Sequence, residues 1–321
     1  MRGEGPDRAQ GIAGGETVLG RPNRPEAVQA TEVLVVPAES GPIRLVEYTD
    51  PISVWCWGCE PAIRRIEYRY AGAVDVSHVM GGLFEDFGPM KEYWSRMSGG
   101  KWKEPVLTFL TAVAAQHRMP MDVAGMMATM DDFRSTWPGC VAVKAADLVG
   151  PEAGRRYLRR LREAGLVEGR PIFRRDVQLA VAAQARVDVD RFSDALESGR
   201  ADRAFQADLE ECRGRNVQGF PTFEVRRGPA NLRLEGYQSW ESLEEALRAL
   251  DGDLAARELA WDKPAVLDLL RHYGQCATRE VAAVFGVTDD DVEIMLEDLL
   301  ADGAVVRKDY GNASFWRPRA L

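Results

Sequence analysis

The sequence predicts an α/β protein. One small sheet is built from two separated stretches of chain, an all-helical stretch lies between them, and a small helix-rich module follows. Three observations lead there. Residues 43–49 and 73–79 carry strand patterns on either side of a helical pattern, giving a β-α-β unit. Residues 222–226 and 232–234 read as a hairpin followed by an amphipathic helix, giving a ββα unit. About residues 84–215, between them, carry helical periodicity punctuated by Pro and Gly.

The elements follow in order. Residues 1–40 are rich in Gly, Pro, Arg and Glu and read as a flexible tail, with Thr31–Val36 as a candidate edge strand stopped by Pro37. Residues 43–49 are the first strand. A helix over about 53–70 carries Ile63, Ile66 and Tyr70 at helical spacing, meets Pro61 on the way and ends at Gly72. Helical candidates then fall at about 84–97, 103–118, 121–131, 139–149, 151–165, 174–186, 190–198 and 200–214. After the hairpin, Ser239 is the candidate N-cap of a helix whose apolar face is Leu243, Ala246, Leu247 and Leu250. Residues 264–274, 278–285 and 289–302 are three further helices. Residues 304–308 and 314–317 form a terminal hairpin, the pattern of a winged helix-turn-helix.

These readings divide the chain into a tail (1–40), a main domain (41–255) with its helical insertion (84–215), and a C-terminal module (260–321). Of the 321 residues 45% are hydrophobic and 28% charged, an ordinary balance for a chain that buries a real core. The net charge of −9 argues against a general nucleic-acid binder. The third helix of the C-terminal module, residues 289–302, has seven acids and no Lys or Arg, so DNA phosphates would be repelled there. The wing cations Arg307, Lys308, Arg317 and Arg319 offer only a weak DNA reading, and a protein-protein or self-association role is expected for 260–321. No apolar run reaches about 18 residues, so no membrane span is expected. No signal-like apolar region opens the chain, and five cysteines make an odd set; a reducing cytoplasm is the expected compartment.

Chemistry concentrates where the first strand meets the first helix, at Asp50-Pro51-Ile-Ser53-Val-Trp55-Cys56-Trp57-Gly-Cys59-Glu60-Pro61. Two cysteines at C-x-x-C spacing open a helix, where first-turn N–H groups and the helix dipole favour a thiolate. The alternatives are half a zinc site or two small buried residues. No second ligand pair has finger-like spacing, so no metal is expected.

This stretch resembles the active site of the DsbA-like branch of the thioredoxin superfamily, closest to its cytosolic FrnE-type and Spx-adaptor-type (SpxH/YjbH) subgroups. Gly219-Phe220-Pro221-Thr222-Phe223 resembles the loop whose cis-proline faces the active-site cysteines in that superfamily. The resemblance implies a thioredoxin fold carrying a helical insertion. It also sets a register in which Cys56 takes the second cysteine position and Ser53 the first. Three functions follow. Cys56 and Cys59 act as a shifted redox pair in thiol-disulfide exchange with a protein or small-molecule substrate. Ser53 serves a glutathione-dependent transferase or isomerase, in resemblance to the kappa class, with glutathione as co-substrate. Or the fold is a non-catalytic adaptor or redox-sensing binding protein. The first leads, with Cys56 as the favoured nucleophile because it is nearer the helix start. Trp55, Trp57, Phe220, Pro221 and Thr222 are the candidate substrate-binding residues.

Other residues receive structural readings. His78 at a strand end, Cys140, Cys212 and the methionines between Met119 and Met130 are expected to be packing residues rather than a base, extra thiols or an adaptable groove.

Overall fold

The computed structural model describes residues 41–319; the expected tail and its candidate strand lie outside them. The central sheet holds four strands in the order β2-β1-β3-β4. Strand β1 (Ile43–Thr49) pairs in parallel with β2 (Val74–Met80) and antiparallel with β3 (Thr222–Arg227), which pairs antiparallel with β4 (Ala230–Glu235). The crossover element between β1 and β2 is α1 (Val54–Arg69), as a parallel pair requires.

Alternation along β1 sends Ile43 and Leu45 to the face covered by α1 and by α10 (Trp240–Leu250). Ile63, Ile66, Leu243 and Leu247 complete that core. Val46 and Tyr48 face the opposite side, where Cys212 packs. Ser239 caps α10 by accepting from the Ser242 N–H, as its sequence position predicts. Helix α1 continues through Pro61.

Eight α-helices lie between β2 and β3: α2 (Gly88–Met97), α3 (Lys103–His117), α4 (Val123–Thr129), α5 (Trp137–Val149), α6 (Pro151–Arg162), α7 (Arg175–Gln184), α8 (Val189–Glu197) and α9 (Arg200–Gly214). The predicted helix over 151–165 ends its α-geometry at Arg162 and widens into a π-helical turn, Glu163–Val167. Arg162 at that junction is fully buried. Helices α5 to α9 share one apolar core, built on Ala142, Ala145, Ala146, Tyr157 and Phe192. The methionines Met119, Met121, Met126 and Met127 are buried packing residues, as expected.

The C-terminal module contains α11 (Lys263–Tyr273), α12 (Thr278–Phe285) and α13 (Asp289–Ala301). A three-stranded sheet accompanies them in the order β5-β7-β6, from β5 (Cys276–Ala277), β6 (Val305–Tyr310) and β7 (Ala313–Pro318). The two-residue β5 was missing from the sequence reading, because it is too short to show a period. Thr288 and Asp291 form a capping box at the start of α13, so part of its acidic first turn has a local role.

The module is seated on the rest of the protein. Helix α12 packs along α1. Arg65 of α1 donates to the carbonyls of Ala283 (2.6 Å) and Val284. Asn312 in the β6–β7 turn donates to the carbonyls of Ala114 and Met119 and accepts from the Met121 N–H. Such buried backbone groups demand partners, and here the partners come from another part of the chain. Among the described residues no helix is long and apolar enough to cross a membrane.

Candidate functional site

The site is built where β1 ends. Thr49 and Asp50 are buried, the chain turns at Pro51, and Ser53 is the N-cap of α1. The Ser53 hydroxyl accepts from the Cys56 N–H at 3.3 Å, satisfying one of the free donors of the first turn. Ser53 is 5% exposed, and Cys56 and Cys59 are both 0% exposed. All five cysteines are free thiols and buried.

Burial reverses the expected chemistry of the thiols. The helix start was expected to lower the pKa of Cys56. Instead it is pushed up to about 12, first by loss of solvation and next by the neighbouring Glu47 carboxyl. Arg162 and the hydroxyls of Ser53 and Thr49 pull the other way and are outweighed. The Cys59 thiol is also raised well above its ordinary range, again chiefly by burial. It lies 3.4 Å from the Gln238 N–H that donates to it and 3.7 Å from the Gln238 carbonyl. Neither thiol is placed as an exposed, electropositive nucleophile.

On the loop that leads into β3, the Phe220–Pro221 peptide is cis. The Pro221 carbonyl already accepts from the Gly236 N–H at 2.8 Å, and the Thr222 hydroxyl donates to the Gly219 carbonyl. Pro221 and Thr222 are buried, while the half-buried Phe220 has no backbone hydrogen bond among the described residues. The Phe220 ring leans on Gly81, where a Cβ would meet it at 1.8 Å. A side chain at position 81 would therefore displace this loop.

The two tryptophans separate. Trp55 is half-buried and meets Phe109 edgewise and Tyr237 at a tilt, a partly exposed aromatic rim beside the helix start. Trp57 does not line a binding surface, correcting that expectation. It is fully buried, its indole N–H donates to the Pro120 carbonyl at 2.9 Å, and the Arg159 guanidinium lies 4.6 Å over its ring. The helical period turns successive odd residues to different sides, so only one of the pair reaches the rim.

Beneath Cys56 lies a buried ionic cluster that sequence reasoning missed. Glu47 of β1 and Glu60 of α1 both meet Arg162 at the end of α6, and the Thr49 hydroxyl also accepts from Arg162. Arg159 joins Glu60 (3.1 Å), Glu163 (2.8 Å) and Glu280 of α12 (2.6 Å). Glu280 also takes Arg64 at 3.2 Å. The cluster thus binds the sheet, the helical insertion and the C-terminal module together. Arg159, Arg162 and Arg64 hold the Glu60 carboxyl down to about 2 against its burial. Glu47 goes up to about 7, because burial outweighs Arg162 and the Glu60 charge adds to it. His78 sits across the strand pair with Nε2 3.3 Å from Glu47, and burial followed by Arg162 keeps it neutral by lowering its pKa to about 3. The one signal in sequence was polar residues at inward positions of a strand, Glu47 and Thr49, in register with Leu45.

Cys140 and Cys212 take their structural readings. Cys140 packs in the insertion core with its sulfur 3.4 Å from Asp50, and Cys212 packs against the outer face of the sheet. Cys276 lies in the core of the C-terminal module.

A family model described as Thioredoxin matches residues 47–245, from the buried Glu47 to the helix that closes the sheet. The chain belongs to this thioredoxin family. Within it, the protein has the DsbA-like form, with a helical insertion between β2 and β3. It is 28% identical to the ClpXP adapter protein SpxH of Shouchella clausii, over 91% of this chain and 92% of that one. It is 22% identical to the ClpXP adapter protein SpxH of Bacillus subtilis, over 86% of this chain and 89% of that one. A match over 91% of the chain reaches into the C-terminal module. Among solved structures, it is similar to a putative protein disulfide isomerase from Nitrosomonas europaea. That match has a TM-score of 0.53 at 20% identity and covers 65% of this chain and 97% of that one. Similarity to the cytosolic disulfide reductase DsbM from Pseudomonas aeruginosa gives a TM-score of 0.50 at 24% identity, covering 64% of this chain and 99% of that one. These two likenesses are likenesses of fold.

Proposed function

We propose that this thioredoxin-family protein is a cytoplasmic adaptor of the SpxH type. It binds a client protein on the docking edge beside Trp55, Phe220 and Pro221 and presents it to a Clp-type unfoldase and protease. The observation that carries this reading is the state of the active-site turn: Ser53 stands in the first position as an N-cap, and the two thiols behind it are 0% exposed. The fold supplies recognition without a reactive thiol. The unpaired Phe220 backbone suits an extended client segment, which would add main-chain hydrogen bonds there. The domain plan of residues 41–255 and 260–321 fits a two-part adaptor, with the module fixed by the Arg159–Glu280 contact.

The test is genetic and proteomic. Deleting the gene should stabilise a defined set of proteins. Both the wild-type chain and a Cys56→Ala/Cys59→Ala variant should restore their turnover. Loss of complementation by a folded double variant would refute the adaptor reading.

A second reading is thiol-disulfide exchange through Cys56 and Cys59. One observation favours it: Cys56 and Cys59 are both free thiols one turn apart on α1. A glutathione redox titration, with mass mapping of both cysteines, separates the two readings. A reversible Cys56–Cys59 disulfide of defined potential belongs to exchange alone. Glutathione turnover that disappears in Ser53→Ala would instead support the transferase.

A further inference from the structure

A cleft of about 1150 Å³ opens along the second half of α1, between α6, the end of α7 and the β6–β7 hairpin. Its lining begins on α1 at Glu60 and continues through Arg64 and Glu67, so it runs away from the Ser53 end of the helix. At about 1.5 Å per residue, Arg64 is roughly 16 Å from Ser53 along the axis. The cleft is therefore a separate surface from the cis-proline edge.

Its charge is opposite to that of the chain. Nine Arg or Lys residues line it against six Asp or Glu, in a protein of net charge −9. Several of those cations are spent on internal pairs: Arg64 and Arg159 on Glu280, and Arg160 on Glu168. Three exposed ones are not. Arg186, Lys308 and Arg317 form no ion pair among the described residues. They come from the turn after α7 and from both strands of the terminal hairpin, so only the folded chain brings them to one rim. Between them, among the paired charges, the lining offers the half-buried aromatic rings of Tyr273 and Tyr310.

We propose that this cleft binds an acidic segment of a protein partner, with carboxylates on the Arg186, Lys308 and Arg317 rim and apolar side chains against the walls. The assignment rests on the adaptor reading for the partner's identity and deepens it by giving the client a second contact surface. Charge complementarity selects the class. A peptide alternates charged and apolar side chains, as the lining does. A nucleic acid would carry an unbroken run of phosphates across the stretch between the three free cations, where other lining arginines are already paired with Glu67, Glu152, Glu168 and Glu280 and leave those phosphates without partners.

The test uses the full chain and a phage-displayed library of random 12-residue peptides. The pool is counter-selected on an Arg186→Glu/Lys308→Glu/Arg317→Glu variant. The three side chains are exposed, so the variant should keep the wild-type melting temperature. We expect the wild-type-specific pool to be enriched at least about threefold in Asp and Glu. A synthetic peptide from it should bind the triple variant at least about tenfold more weakly, and it should weaken as salt shortens the Debye length. Charge reversal at the remote Arg203 should leave its affinity unchanged. A pool without acidic enrichment, or equal binding to both proteins, overturns the assignment. So does displacement of the peptide by a DNA or RNA of equal charge at lower concentration. So does a change in oligomeric state that accounts for the rim's effect. Client turnover is scored separately. Turnover lost in the double-alanine variant with peptide binding intact removes the adaptor reading and leaves the cleft. Absence of peptide binding with turnover intact removes only the cleft.

Discussion

Replacing Glu47 by glutamine tests how the buried cluster behind the site is balanced. Glu47 is fully buried on β1; its Oε1 accepts from Thr49 and meets Arg162, while its Oε2 has no hydrogen-bond donor. Its carboxyl is raised from 4.5 to about 7 by burial, against the pull of Arg162. A carboxyl whose folded pKa is raised contributes stability that is present below about 4.5 and is lost as pH rises through about 7. At about 1.4 kcal/mol for each pH unit between those values, the loss is at most about 3.5 kcal/mol and is nearly complete by pH 7. Glutamine keeps the Oε1 contacts and offers an N–H to the neutral His78, while Arg162 keeps Glu60. Glu47→Gln should therefore be close to neutral at pH 5 and stabilising at pH 8, by between 1 and 3 kcal/mol, an order-of-magnitude figure from the same linkage. Denaturant unfolding of the full chain at both pH values reads this directly. Equal shifts at the two pH values would refute the balance argued here. Greater destabilisation at pH 8 would show that the Glu47–Arg162 pair outweighs burial.

The remaining predictions concern the thiols, the cap and the docked module. With its pKa near 12, Cys56 should react with iodoacetamide at pH 8 at least about a thousandfold more slowly than an unperturbed thiol. Mass spectrometry should find the five cysteines unlabelled until the chain is denatured. Ser53→Cys restores the first cysteine of the family pattern. It should cost about 1 kcal/mol through the lost cap and create a reversible disulfide with Cys56, read as insulin reductase activity absent from the wild type. Glu280→Ala leaves Arg159 and Arg64 without their shared carboxylate. It should destabilise the chain by about 3–5 kcal/mol and expose the segment before α11 to limited proteolysis. An unchanged melting temperature would mean that the ionic cluster does not hold the C-terminal module in place. Acid should loosen the same cluster. Glu60, lowered to about 2, contributes stability that is present above 4.5 and lost as pH falls toward 2.

The sequence was informative wherever structure is written in local period. Strand β1 and the hairpin alternate, α1 and α10 carry apolar faces, Ser239 caps the helix it precedes, and the breakers separate the eight helices of the insertion. The C-x-x-C turn and the Gly219–Phe223 loop were also legible, as was the departure at Ser53. Three things were not. The buried charge cluster joins Glu47, Glu60, Arg159, Arg162 and Glu280 across 233 positions of chain, and no local pattern announces such a meeting. The division of labour between Trp55 and Trp57 depended on what packs around α1, here Pro120 on one side and Tyr237 on the other. The pKa of Cys56 was the decisive case. A helix start predicts a stabilised thiolate, because dipole and N–H groups are local features that sequence reveals. Solvation is a tertiary quantity, and once the insertion and the C-terminal module close over α1, the loss of water outweighs the helix end.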